Sequence, residues 1–254
     1  MNIDLNSDLG ESFGQYTFGS DELILDSISS ANIACGFHAG DPHGIRATAR
    51  AAVSRGVVIG AHPGYRDLPG FGRRFIDMNL SELVDEVIYQ VGAVQAIARS
   101  VGGEVRYVKP HGALYNTIAV HEAQAGAVVQ ALLELGGGAD PLLPLMVLPG
   151  SVVERVARDA GLETVAEAFA DRGYLPDGTL VKRGTPGAML SATDAVAQAI
   201  RLAEDGTVVA NDGSIIATGA QSICLHGDSP GAVRLAPEIR AGLEAAGAEI
   251  RSFV

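Results

Sequence analysis

Side chains able to move protons, hold a metal or bind an anion are gathered in a few short segments of this chain: Asn6-Ser7-Asp8-Leu9-Gly10-Glu11, Cys35-Gly36-Phe37-His38-Ala39-Gly40-Asp41-Pro42-His43, Ala61-His62-Pro63-Gly64-Tyr65, Gly70-Phe71-Gly72-Arg73-Arg74, Lys109-Pro110-His111-Gly112, Glu167-Ala168-Phe169-Ala170-Asp171-Arg172 and His226-Gly227-Asp228. Five of the six histidines fall in them. One histidine in such a place is more often a hydrogen-bonded structural residue than a catalyst, whereas five together point to chemistry. Asp8, His38 and His43 offer a carboxylate and two imidazoles, a donor set that suits a divalent transition metal with positions left for water. Pro42 between the two histidines makes a loop, so the helical i,i+4 geometry of a zinc protease is absent. Lys109 is one of only two lysines, with Lys182. Partly buried, it could carry positive charge to a developing oxyanion or, with a depressed pKa, act as an amine nucleophile. Its plainer role is a salt bridge to Asp8 or Glu11. Arg73 and Arg74, in a Gly-rich loop, offer guanidinium forks suited to a carboxylate or phosphate, with surface solvation as the competing role. His121 stands apart at an expected helix start, as an exposed or capping residue.

For these segments to meet, each must follow a strand of one parallel sheet. Continuously apolar or period-two stretches alternate with helical patterns from end to end, the signature of repeated βα units. Strands are expected at 2–6, 31–35, 57–61, 105–108, 146–148, 164–168 and 222–225, with 249–253 as a further candidate. Helices are expected at 21–29, 43–55, 81–101, 121–135, 151–160, 191–204 and 237–246. Ser20 or Asp21 and Ser81 are the expected caps, and Gly56 and Gly102-Gly103 the stops. The stretches at 136–144 and 171–190 are rich in Gly and Pro but do not interrupt the alternation. About seven strands, with a helix after nearly every one, favour an α/β fold of one closed β/α barrel over an open doubly wound sheet, as a single domain spanning 1–254. In such a barrel the carboxyl ends of all strands face one rim. Asp8, His38, His62, Lys109 and His111 should therefore share one pocket, with Glu11, Arg73, Arg74, Asp171 and His226 beside it as substrate- or phosphate-binding residues. Gly40, Gly64, Gly70 and Gly72 serve turns or let backbone approach a small ligand.

The 254 residues are 47% hydrophobic and 19% charged, a globular composition that excludes collagen-like, coiled-coil and disordered classes. A net charge of −12 disfavours nucleic acid and anionic membrane as partners. No apolar run reaches the roughly 18 residues of a spanning helix, and the chain opens without a basic stretch and apolar run, so a cytoplasmic protein is expected. Two cysteines, Cys35 and Cys224, cannot build a disulfide framework and are expected as thiols. The sequence has no Gly-Lys-Ser/Thr phosphate loop, no GxGxxG after a strand and no GxSxG, which weakens a nucleotide-hydrolase, a nicotinamide dehydrogenase and an α/β-hydrolase alike.

The run from Asp4 to Glu11, the run Ser30-Ala31-Asn32-Ile33-Ala34-Cys35-Gly36-Phe37-His38-Ala39-Gly40-Asp41-Pro42, and the segments Gly60–Tyr65, Gly70–Arg74, Val108–Asn116, Glu167–Arg172 and Gln221–Gly231 together resemble the LamB/YcsF family over almost the whole chain. The resemblance implies a seven-stranded β/α barrel related to the polysaccharide deacetylase and glycoside hydrolase barrels. It implies a part in the ATP-dependent opening of 5-oxo-L-proline to L-glutamate, with ADP and phosphate released, by 5-oxoprolinase with companion subunits B and C. ATP is then a co-substrate whose site is shared with or supplied by the partners, while a divalent metal and a homo-oligomer stay open. A five-membered lactam is a stable amide with a poor leaving group, so phosphorylating its oxygen would activate the carbon toward water. In that reaction Lys109 or an arginine could bind anionic oxygens, His38, His62 or His111 could move protons, and Asp8 could orient one of them. Three other readings are a metal-dependent amidohydrolase or deacetylase without ATP, a Schiff-base lyase using Lys109, and a non-catalytic binding component of a larger complex.

Overall fold

The computed structural model describes residues 1–137, 142–225 and 232–254. Along the chain run β1 (Asn2–Leu9), α1 (Asp21–Leu25), β2 (Ser30–Ala34), α2 (Pro42–Arg55), β3 (Val58–His62), α3 (Leu80–Ser100), β4 (Val105–Val108), α4 (Gly112–Ile118), α5 (Glu122–Gly136), β5 (Leu145–Val147), α6 (Val152–Asp159), β6 (Thr164–Phe169), α7 (Ala192–Asp205), β7 (Thr207–Val209), β8 (Ile215–Ala217), β9 (Ser222–Leu225), α8 (Ala232–Ala245) and β10 (Glu249–Ile250). Strands β1 to β6 pair in order, and β9 pairs in parallel with both β6 and β1, which closes a seven-stranded parallel barrel. The short β10 lies outside this ring, parallel to the start of β1. The β7–β8 hairpin is antiparallel and separate from the barrel.

Local chemistry sets the element ends. Asp41 caps α2 by accepting from the His43 and Gly44 amides at 3.0 and 2.9 Å, Pro42 occupies the first turn, and Gly56 ends the helix with φ +68°. Asn79 rather than Ser81 caps α3, its side chain accepting from the Ser81 amide at 3.0 Å. Neither expected cap of α1 acts as one. Ser20 makes no capping bond, and Asp21 instead accepts from the Gly10 amide and the Thr48 hydroxyl, tying the end of β1 to α2. The expected helix at 237–246 begins at Ala232 and carries Pro237 inside it; buried Ala236, Ile239 and Leu243 hold that face against the barrel. The last strand is shorter than expected: beyond Ile250 the chain turns under the barrel, where Phe253 meets the Tyr107 ring edge-on at 5.1 Å. Helix α4 and the β7–β8 hairpin are elements that periodicity alone does not reveal.

The outer core, between strands and helices, is apolar, but the barrel interior is polar. Inward positions of β1 alternate Asp4, Asn6 and Asp8. Asn6 donates to Ser222 Oγ at 2.7 Å and Glu167 Oε1 at 3.1 Å, Asn32 donates to Asn6 Oδ1 at 2.7 Å and Asp8 Oδ1 at 2.9 Å, and the Tyr107 hydroxyl donates to Asn32 Oδ1 at 2.6 Å. Gly60 on β3 makes this possible, because a Cβ there would drive into the Tyr107 ring. A connected network of this kind stays favourable only when its donors and acceptors are paired.

Below it, Asp4 accepts from the Ser29, Ser30 and Ser222 hydroxyls. Burial outweighs these bonds and pushes its pKa up to about 6. The folded chain thus binds this proton more tightly than the unfolded chain, so Asp4 favours folding in acid and opposes it increasingly as pH rises through its folded pKa. Relative to wild type, Asp4→Asn is expected to gain up to about 3 kcal/mol between pH 4 and pH 7. Urea unfolding of both proteins across that range checks this; a difference that does not vary with pH counts against the raised pKa.

Candidate functional site

The carboxyl ends of β1 to β4 and β6 converge on one buried cluster. His62, the last residue of β3, is fixed at both ring nitrogens: Nδ1 lies 2.6 Å from the Lys109 carbonyl oxygen, and Nε2 lies 3.2 Å from Asp8 Oδ2 and 2.9 Å from His111 Nδ1. The other nitrogen of His111, Nε2, lies 2.9 Å from the Phe71 carbonyl oxygen. Phe71 holds that carbonyl in place from a left-handed backbone, φ +55°, which a non-glycine residue adopts at some cost. His38 stacks on His111 with ring centroids 3.8 Å apart and planes within 6°. Its Nε2 faces Glu11 Oε1 at 3.5 Å, and neither of its nitrogens makes a hydrogen bond. Gly72, with φ +62°, lets the 70–74 loop lie directly on this pair, since a Cβ there would come within 2.7 Å of His38 and 2.8 Å of His111. Burial, and then the neighbouring rings, hold both His38 and His111 well below the ordinary histidine pKa, so these rings are neutral near pH 7.

Lys109 is buried and donates to Glu167 Oε1 at 2.7 Å, Asp8 Oδ1 at 3.0 Å and Asn6 Oδ1 at 3.2 Å, with Cys224 Sγ at 3.1 Å. Burial alone would lower its pKa, but the charges of Asp8 and Glu167 outweigh that and hold it well above the usual lysine value. Two expectations change as a result. An amine nucleophile needs the neutral form, so the Schiff-base role for Lys109 loses its chemical basis. The ammonium's donors are also committed within the barrel, so Lys109 positions Asp8 rather than reaching for an oxyanion. Its ion pairs are with Asp8 and Glu167, not Glu11.

Asp8, His38, His62, Lys109 and His111 thus lie together, joined by Glu11. His43 does not. It is exposed on the first turn of α2, because Pro42 and the Asp41 cap start the helix there and carry the side chain outward. The Asp8–His38–His43 metal set is therefore not assembled. Among the described residues, the ligand atoms that lie within 4.8 Å of one another belong to Glu11, His38, His62 and His111. Arg74 is bound to Asp67, its Nε 3.0 Å from both carboxylate oxygens, and so braces its own loop. Arg73 is exposed at the edge of the cluster, its guanidinium 4.9 Å above the Phe71 ring. Asp171 is buried just after β6, and its backbone carbonyl accepts from the Leu190 amide at 3.0 Å. His226 lies outside the described residues. His121 caps α5, its Nδ1 accepting from the Gln124 amide at 3.3 Å. Both cysteines are buried thiols. Residue-by-residue reading passes over Glu167, Asn6 and Asn32 as site residues; the signal for Asn6 and Asn32 is a polar side chain recurring every second position of a strand, and for Glu167 a lone carboxylate within an apolar one.

Three comparisons bear on this site. The family model described as "LamB/YcsF family" matches residues 3–254. A Kocuria rhizophila protein named as the A component of 5-oxoprolinase is 58% identical over 252 residues, covering 99% of this chain and 98% of its own length, and a Mycobacterium avium protein of the same name is 54% identical with the same coverage. The crystal structure of a lactam utilization protein from Thermus thermophilus is similar at TM-score 0.93 and 43% identity, covering 100% of both chains.

Proposed function

Because this chain belongs to the LamB/YcsF family, we propose that it acts as the A component of an ATP-dependent 5-oxoprolinase in the cytoplasm, opening 5-oxo-L-proline to L-glutamate with release of ADP and phosphate in complex with subunits B and C. The observation that carries the reading is the cluster of buried His38, His62 and His111 with half-buried Asp8 at the carboxyl rim, in a chain that matches a relative of that name over 98% of its length. No helix among the described residues is long and apolar enough to cross a membrane.

Ring opening needs a proton taken from water and one given to the departing ring nitrogen. His38 suits the first step: it is neutral, and its nitrogens are not committed to hydrogen bonds. The same ring can then return that proton to the departing nitrogen, while His62, held between the Lys109 carbonyl and Asp8, keeps the cluster oriented beside it. Lys109 and Glu167 hold Asp8 in place from below. Arg73, exposed at the edge, is the guanidinium positioned to meet an anionic group of the substrate or of a phosphorylated intermediate. ATP reaches the reaction at a site that the partner subunits supply or complete.

The isolated chain is accordingly expected neither to hydrolyse ATP nor to release glutamate from 5-oxo-L-proline, and both activities should appear on adding subunits B and C. Glutamate and phosphate release, followed with and without the partners, checks this. Phosphate release by the chain alone that is stimulated by 5-oxo-L-proline, and lost in a His111→Ala chain prepared identically, would refute the dependence on partners.

A further inference from the structure

We infer that His62 Nε2 and His111 Nδ1, with the carboxylates of Asp8 and Glu11, form a binding site for one divalent transition-metal ion. Backbone carbonyls only accept hydrogen bonds, so the contacts of His62 Nδ1 with the Lys109 carbonyl (2.6 Å) and of His111 Nε2 with the Phe71 carbonyl (2.9 Å) place an N–H of each ring on those nitrogens. The remaining nitrogens, His62 Nε2 and His111 Nδ1, then face one another at 2.9 Å, the two ring atoms free to ligate an ion. Asp8 Oδ2 lies 3.2 Å from the first and Glu11 Oε1 3.7 Å from the second. Ligand atoms of Glu11, His62 and His111 lie within 4.8 Å of one another, and Asp8 Oδ2 lies against His62, so one metal ion can gather them.

The spacing suits a metal. Ligands about 2.05 Å from a common ion are separated by about 2.9 Å in cis octahedral geometry and about 3.4 Å in tetrahedral geometry, the range in which the two shortest separations fall. Anchoring a ring's far N–H on a backbone carbonyl is also how proteins orient metal-binding imidazoles. Two nitrogens and two carboxylate oxygens favour zinc, cobalt, nickel or manganese over calcium or magnesium. His38 is not a ligand in this arrangement. Its ring is parallel to His111 at 3.8 Å, and lone pairs lying in parallel planes do not converge on one ion. It is left beside the ion as a group able to take a proton. What the ion would act on rests on the lactam reading, where it would polarise the amide carbonyl or acidify a water; its binding does not.

The test uses the full chain alone, stripped with a chelator and titrated with Co(II) at pH 7.5 in buffers of different ionisation enthalpy. Visible absorption and calorimetry are recorded without lactam, ATP or partners, so the result stands apart from that of the reconstitution. One Co(II) per chain is expected, with a visible band from nitrogen–oxygen coordination. His62→Gln and His111→Gln should each weaken binding at least about 10²-fold, since even residues that merely orient a ligand cost 10- to 100-fold. His43→Gln should leave it unchanged, and His38→Gln should shift it less than about threefold. Circular dichroism of each variant separates loss of binding from loss of fold. If the wild-type chain takes up no Co(II), the metal site is overturned. Binding that survives in the folded double variant His62→Gln/His111→Gln, or that is lost with His43→Gln, overturns it equally.

Discussion

Replacing His111 by Ala is expected to lower lactam-dependent glutamate release in the reconstituted complex about 10²-fold or more, the usual scale for a lost acid–base or charge-stabilising group. The reason is placement. His111 holds three neighbours at once: His62 through a nitrogen–nitrogen contact of 2.9 Å, His38 by stacking at 3.8 Å, and the Phe71 carbonyl of the covering loop. Removing it frees His38 to tilt and leaves His62 Nε2 without the partner that orients it. Because Phe71 holds its carbonyl toward His111 from a left-handed backbone, the covering loop should also loosen, which predicts a rise in KM for 5-oxo-L-proline as well as a fall in kcat. Steady-state kinetics with a matched thermal unfolding curve check the prediction. Near-normal turnover in a complex that still assembles would remove His111 from the reaction and favour a binding role for this chain.

The largest effect on stability is expected at Lys109. From its position beside a histidine, Lys109→Ala would be read as a change that costs activity and little stability. The structure reverses the second half of that expectation. Lys109 is the cation between Asp8 and Glu167 inside the barrel, and Glu167 is fully buried. Deleting one partner of a buried ion pair leaves the others charged in a medium that solvates them poorly, and the typical cost is about 3–5 kcal/mol. Lys109→Met, which keeps most of the volume, is therefore expected to lower unfolding free energy by that amount. Adding Glu167→Gln should recover part of it, because one uncompensated carboxylate is removed. Urea unfolding of the single and double variants near pH 7 provides the measurement. A Lys109→Met protein within about 1 kcal/mol of wild type would mean that water or another cation compensates the carboxylates. Activity lost in Lys109 variants bears on catalysis only after folding has been accounted for.

Much of the architecture is legible in the linear chain. The strands at 105–108 and 222–225 stand where hydrophobic patterning puts them, and the helix ends at Gly56 and at Gly102-Gly103 follow from residues that cannot continue a helix at low cost. The repeated βα order implies a parallel sheet, and a parallel βαβ barrel brings every strand's carboxyl end to one rim. For that reason Asp8, His38, His62, Lys109 and His111 could be expected to meet without knowledge of any side-chain direction. Composition, motif order and strand–helix alternation are local properties, and they determined the fold class and the rim on which the chemistry sits.

What lies within bonding distance on that rim was decided only when the barrel closed. His38 and His43 read alike in sequence, yet one is stacked inside the cluster and the other faces outward on α2, because a proline and a capping aspartate set where that helix begins. Arg73 and Arg74 are neighbours, yet Asp67 takes Arg74 and leaves Arg73 at the site's edge. Glu167 becomes the counter-charge of Lys109, fifty-eight positions away, only because β9 bridges β6 and β1 and so brings Glu167 across the interior to Asn6. The physical reason is common to all three. Patterning is governed by burial, which depends on residue class and recurs with the period of helix or strand, whereas ion pairs, tautomers and metal geometry depend on individual atoms a few ångströms apart. Those distances are properties of the closed barrel and are absent from any single segment of the chain.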